Sequence, residues 1–305
     1  MKHKKTAIAA VAVTGASYLS YKAISEDMFK SIFKKRKNPL IVKDEVMTWF
    51  EHSNVSKETI RSFDGLNLSG ADIHNHDDAP YLIMVHGIWS DKESMYERAM
   101  RFDELGYNML LIDQRASGES EGKYYTYGQK ESLDLLLWIS LLTEKYPKAS
   151  ICLYVVSMGA ASVMMAAANP LPEQVCCLIE DCGYSSLKEV ADEMIRNRYH
   201  LSFTAIILNL LEKMMKERFG FDYDDVCIKK YLEDNEIPIL FIHGEKDEFV
   251  PYDMAKILYN HNKGSKKFYR VADAGHTEAN NDPEYYHLLD AFIRENMKQG
   301  IEKTE

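Results

Sequence analysis

Short apolar runs alternate along this chain with longer segments in which apolar residues return every three or four positions. The runs Tyr81–Val85, Asn108–Ile112, Ile151–Val156, Val175–Glu180, Ile239–Ile242 and Lys267–Val271 have the length of strands. Most are apolar almost throughout, the mark of strands covered on both faces, and the helical stretches between them supply the cover. The alternation predicts an α/β fold with a mostly parallel sheet flanked by helices. Ahead of it, Glu58–Phe63 and Leu66–Ile73, joined by Asp64-Gly65, read as a β-hairpin, and Glu45–His52 reads as a short helix. One stretch, 184–236, breaks the alternation. There Val190, Met194, Ile206, Ile207, Leu210, Leu211, Met214 and Met215 fall at helical spacing, which predicts a helical insertion between core segments 53–183 and 237–300. No repeat or low-complexity tract occurs.

Candidate chemistry gathers at the C-terminal ends of the predicted strands, where open α/β sheets bind their ligands. Ile151–Val156 runs into Ser157-Met158-Gly159, and Ala160–Ala168 then reads as a helix of small residues and Met. Strand, sharp turn with one Ser, helix is the architecture of a nucleophile elbow. A Ser hydroxyl needs an imidazole to take its proton, and that imidazole needs a carboxylate to fix its tautomer. Downstream, the strand ending at His243-Gly244 opens a loop holding Glu245, Asp247 and Glu248; the next strand ends at Asp273-Ala274-Gly275-His276. Ser157, Asp247 and His276 are therefore the candidate nucleophile, acid and base. Glu245 and Glu248 are rival acids, with Asp247 preferred for its place in mid-turn. A developing oxyanion needs two N–H donors. The candidates are Met158, directly after the nucleophile, and Ile88, in the loop after the Tyr81–Val85 strand.

On these residues the chain resembles the α/β-hydrolases. The likeness runs from about Lys57 to Met297. It rests on His86-Gly87, Asp113–Ser120, Tyr127–Asp134, Ser157-Met158-Gly159, Asp247 and His276. Within that superfamily it is most similar to lidded bacterial esterase-like proteins with an N-terminal hydrophobic segment. The resemblance implies Ser-His-Asp chemistry without cofactor or metal, and a lid at 184–236. Trp89, Ile206 and Leu210 are candidates to touch the substrate. Two positions depart from the family pattern. Val155 stands where the elbow usually has Gly, which puts activity in question, and Ala116 stands where Gly is common in the Asp113–Ser120 loop.

Charge and size narrow the field. At 305 residues the chain can bury a large core with an insertion, and its net charge of −10 argues against a nucleic-acid partner. Cys152, Cys176, Cys177 and Cys182 lie in or beside apolar runs and read as small hydrophobes, the adjacent Cys176 and Cys177 pointing to opposite faces of one strand. His74-Asn75-His76-Asp77-Asp78 has metal-like residues, but it lies in a polar turn and reads as that.

At the start, Met1–Lys5 is basic, Thr6–Tyr21 apolar and Ala-rich, and Lys34–Lys37 basic again. Residues 1–21 read as a signal anchor or hydrophobic helix, and 22–52 as a basic linker with short helices. The expected location is membrane-associated, with cytoplasmic or secreted as alternatives. The Lys34–Lys37 cluster suits either anionic headgroups or a solvated linker.

The sequence thus points to a serine hydrolase acting on a small-molecule carboxylic ester or thioester with an apolar group. A peptidase or amidase of the same fold is an alternative. So is a membrane-tethered, non-catalytic protein that keeps the fold for binding.

Overall fold

The structure, a computed structural model, describes residues 25–35, 40–200 and 204–302. Among the described residues eight strands form one sheet: β1 (Val55–Arg61), β2 (Asn67–Ile73), β3 (Tyr81–Val85), β4 (Asn108–Ile112), β5 (Ile151–Val156), β6 (Val175–Asp181), β7 (Ile239–Gly244) and β8 (Lys266–Val271). Their order across the sheet is β1-β2-β4-β3-β5-β6-β7-β8. The hairpin pairs antiparallel and joins β4 antiparallel; every later pairing is parallel.

Side chains leave the central strands alternately for two cores. Tyr81, Ile83 and Val85 pack with Leu135 and Trp138 of α4 (Glu131–Lys145), with α5 (Met158–Ala166) and with Leu258 of α8 (Tyr252–His261). Leu82 and Met84 turn the other way, to Ala99 and Phe102 of α3 (Tyr96–Glu104) and Leu289 and Ile293 of α9 (Tyr285–Glu302). Burial on both faces is why these strands read as continuous apolar runs.

The pairing of β5 with β6 corrects one expectation. Ile151 faces Val175, but Cys152 faces Cys177, so Cys176 is the extra residue of a β-bulge. The bulge cancels the alternation: Cys176 and Cys177 pack against the same core, their sulfurs 3.7 Å apart. All five cysteines are free thiols.

Between β6 and β7 lie α6 (Leu187–Tyr199) and α7 (Ala205–Phe219), followed by two short 3₁₀ turns. Ser186 caps α6 by accepting the Glu189 N–H. Near the start of the chain, α1 occupies 25–33 and α2 spans Asp44–His52. Phe29 and Phe33 of α1 are buried in an aromatic cluster with Tyr124, Tyr127 and Phe219. The Lys35 ammonium donates to the Gly118 carbonyl at 2.7 Å, so this end of the basic cluster is bound to the body of the protein. The apolar run Thr6–Tyr21 and the pair Arg36-Lys37 lie outside the described residues. Among the described residues no helix is long and apolar enough to cross a membrane.

Candidate active site

The turn after β5 brings Ser157 to φ 54°, ψ −119°, a conformation side chains tolerate only where the surroundings impose it. The surroundings do so through small residues. A Cβ on Gly159 would lie 2.8 Å from the Val85 carbonyl oxygen, and one on Gly183 2.5 Å from the Ala160 Cβ. Gly87 comes so close that its Cβ would meet the Ser157 Cβ at 3.2 Å. Val155 fits within the sheet, registered between Val85 and Glu180 and 1% exposed. Space for the elbow therefore comes from Gly87, Gly159, Ala160 and Gly183, not from the position two residues before the Ser.

Three loops bring the candidate trio together. His276 Nε2 lies 2.9 Å from Ser157 Oγ, and His276 Nδ1 lies 2.7 Å from Asp247 Oδ2. An ionised carboxylate can only accept, so Nδ1 carries the proton and Nε2 is free to accept one from the Ser hydroxyl. Asp247 Oδ1 accepts the N–H groups of Phe249 and Val250 at 2.9 and 2.8 Å. Burial opposes its charge, but hydrogen bonds from His243 and His276 outweigh burial and hold the carboxyl well below the usual carboxylate range. The rival acids are elsewhere: Glu245 is exposed and paired to Arg270, and Glu248 is exposed.

Sequence reading missed the groups behind this trio. His243, at the end of β7, donates from Nε2 to the Val250 carbonyl at 2.9 Å and lies 3.2 Å from Asp247 Oδ2. Burial would lower its pKa, yet the Asp247 contact and the charge of Glu180 raise it. Glu180 and Asp181 close β6, both buried. Burial pushes the Glu180 carboxyl up to about 7, against the pull of His243. Asp181 is also raised by burial; its Oδ2 accepts the Tyr285 hydroxyl at 2.7 Å. Arg98 of α3 donates to the Thr277 carbonyl at 2.8 Å and to Asn280 at 2.9 Å, bracing the loop that carries His276. Two acidic residues ending an apolar run were the available signal for Glu180 and Asp181; nothing in the sequence distinguishes Arg98 from other helix-surface arginines.

The loop after β3 is also fixed from behind. His86, buried, donates from Nδ1 to the Gly87 carbonyl at 2.7 Å and accepts the Gln114 N–H at Nε2. The Gln114 side chain in turn donates to the His86 carbonyl and accepts from Ser162 on α5. The Asp113–Ser120 loop is structural: Asp113 takes the Lys92 ammonium at 2.7 Å, and Arg115 holds Asp134 in a bidentate pair. Ala116 sits at φ 57°, which accounts for the glycine expected there.

A cavity of about 300 Å³ opens over Ser157, lined by Gly87, Ile88, Trp89, Met95, Arg98, Phe249, His276 and Thr277. Trp89, Ser157 and Thr277 all have φ between 54° and 62°, so strained backbone borders the cavity on three sides. Of the proposed contact residues, Trp89 is there. Ile206 and Leu210 are not: Ile206 is 68% exposed on α7, and Leu210 packs on the core. The Met158 side chain is buried in the core, leaving its amide among the unpaired first N–H groups of α5.

Cys182, Asp247 and His276 hold possible ligand atoms within 4.8 Å of one another. Both His276 nitrogens are already engaged, and burial keeps the Cys182 thiol protonated by raising its pKa well above the ordinary value. That is a poor metal site. The His74–Asp78 turn is likewise satisfied within the protein, His74 by Tyr81 and His76 by Asp103.

With this geometry in hand, comparison places the chain among known proteins. Residues 80–227 match the family described as alpha/beta hydrolase fold. The uncharacterized protein YqkD of Bacillus subtilis is 27% identical over 278 residues, 88% of this chain and 90% of that one. Among solved structures, the Pyrococcus furiosus esterase Pf2001 superposes with a TM-score of 0.68 at 23% identity, covering 87% of this chain and 99% of the esterase. An esterase from Exiguobacterium antarcticum gives 0.56 at 16% identity, over 77% and 98% of the two chains. By strand order, matched region and these likenesses, the chain is a protein of the α/β-hydrolase fold.

Proposed function

We propose that the chain is a serine hydrolase cleaving a small-molecule carboxylic ester or thioester. His276 Nε2 takes the Ser157 proton as Oγ bonds to the substrate carbonyl carbon. The Met158 and Ile88 N–H groups hold the oxyanion. Collapse breaks the bond to the alcohol or thiol, which leaves with the proton from His276. Water, losing a proton to His276, then attacks the acyl carbon, and the acid leaves as His276 returns that proton to Ser157 Oγ. Asp247 keeps Nδ1 protonated and stabilises the imidazolium throughout.

The observation that carries this reading is the 2.9 Å approach of His276 Nε2 to Ser157 Oγ with Asp247 on the far nitrogen. The strained elbow formed despite Val155 supports turnover over a purely binding role. Esterases among the structural neighbours are consistent with the ester class. Helices α6 and α7, standing between β6 and β7, serve in this reading as the lid. A fluorophosphonate probe tests it: the wild type is labelled and Ser157→Ala is not. Folded wild type that resists labelling and hydrolyses no nitrophenyl ester would return the chain to the non-catalytic alternative.

A further inference from the structure

A second cavity, of about 390 Å³, lies behind the first. Ile32 of α1 and Met194 and Ile195 of α6 line it, and two residues line both cavities: Trp89 and Phe249. Their rings meet edge-to-face at 6.1 Å where the two cavities adjoin. The Phe249 ring also lies 4.8 Å from that of His276, so the pair reaches from the chamber to the Ser157 site. Trp89 holds its place at φ 58°. A bulky residue keeps that conformation only where the surrounding structure imposes it. Among the lining residues only Glu248 is charged, and it is exposed.

We propose that this chamber between α1 and α6 binds an unbranched alkyl chain of the substrate, which passes from Ser157 beside the Trp89–Phe249 pair. The proposal rests on the hydrolase reading for the word substrate, but the chamber has its own test. Adjacency identifies the occupant: the chamber adjoins the Ser157 cavity at Trp89 and Phe249, so a chain leaving the group bound at Ser157 past that pair enters it. A mostly apolar lining of this size, in which Ser31 and Asn197 already donate to the Met28 and Glu248 carbonyls and the one charged group is a carboxylate, suits methylenes better than an anionic group.

Two ester series distinguish the chain's source: nitrophenyl esters from acetate to decanoate, and acetate esters of alcohols from ethanol to decanol. In one series kcat/KM rises about fourfold per added methylene until the chamber is full. Met194→Trp fills the chamber and lowers the octyl-to-short-chain ratio in that series by roughly thirtyfold or more. Met194→Ala moves the optimum to a longer chain. Melting and labelling by a small fluorophosphonate check that each variant is folded and reactive. Independently, calorimetry on Ser157→Ala with n-alkanols should show affinity rising by about the same factor per methylene, and Met194→Trp in that background should abolish the rise. Ester hydrolysis with both series and alkanol binding insensitive to Met194 overturns the chamber. Chain-dependent alkanol binding in a protein that no fluorophosphonate labels overturns the hydrolase reading and keeps the chamber.

Discussion

Glu180 offers a test of the site's electrostatics that does not depend on turnover. Its carboxyl is buried at the end of β6, and burial lifts its pKa from 4.5 to about 7. Between those values the folded chain keeps a proton that the unfolded chain has released. Stability therefore falls as pH rises through this window, and the whole cost is present above pH 7. A shift of that size corresponds to about 3 kcal/mol. Gln removes the charge yet keeps an oxygen to accept the Gly183 N–H that Glu180 Oε1 now accepts. Replacing an oxygen by an amide NH₂ also alters neutral contacts, but that offset is the same at every pH. The quantity to measure is thus the change in ΔΔG between pH 4.5 and pH 8, from urea unfolding at constant ionic strength. Glu180→Gln should gain about 3 kcal/mol on wild type across that range, which for a chain of this length is about 5 °C in Tm. A change under about 1 kcal/mol, or of opposite sign, would show that Glu180 ionises freely and that the reasoning about its burial is wrong.

The other predictions concern the proposed reacting groups and their support. His276→Ala should lower ester turnover by roughly four to six orders of magnitude with melting little changed; near-normal turnover would remove His276 from its role. Asp247→Asn should lower kcat by about 10⁴-fold, because Asn cannot hold Nδ1 in its protonated form. Because the Asp247 pKa is depressed on folding, its stabilisation is present above the ordinary carboxyl range and lost as pH falls, so the Asn variant's deficit should shrink on acidification. Gly159→Ala presses a methyl to 2.8 Å from the Val85 carbonyl oxygen; about 1–3 kcal/mol of stability and most fluorophosphonate labelling should be lost. An unaltered labelling rate would show that the elbow has more room than its geometry indicates.

Much of the fold was legible because its central strands are buried on both faces, and a doubly buried strand writes itself as an unbroken apolar run. The antiparallel hairpin was legible for a different reason, the Asp64-Gly65 pair between two strand-like segments, and Gly65 does take φ 86°. What failed was local and had local causes. Alternation along β6 was assumed to be strict, but one bulge at Cys176 put both vicinal thiols on one side. Helical spacing in 184–236 correctly indicated helices, yet spacing cannot say which apolar residues face a cavity: Ile206 turned to solvent, while Met194 and Ile195 took the place at the chamber. Residues 22–52 read as a basic linker with short helices, and only the packing of Phe29 and Phe33 reveals that α1 belongs to the core.

The site divides along a similar line. That Ser157, Asp247 and His276 would lie together could be anticipated because the proposed chemistry asks for three residue types in three equivalent loops, and topology supplies those loops at one sheet edge. The groups that set their electrostatics obey no such rule. Glu180, Asp181, His243 and Arg98 act through burial and neighbours, and both are properties of the folded chain. The elbow makes the same point. A Gly two residues before the nucleophile is one way to relieve crowding, but the requirement is for space around the turn. Here Gly159, beside the Ser, and Gly183, distant from it in sequence, supply it through approaches to Val85 and Ala160. Val155 thus marks a difference in where the room was made, and the 2.9 Å contact between Ser157 and His276 survives it.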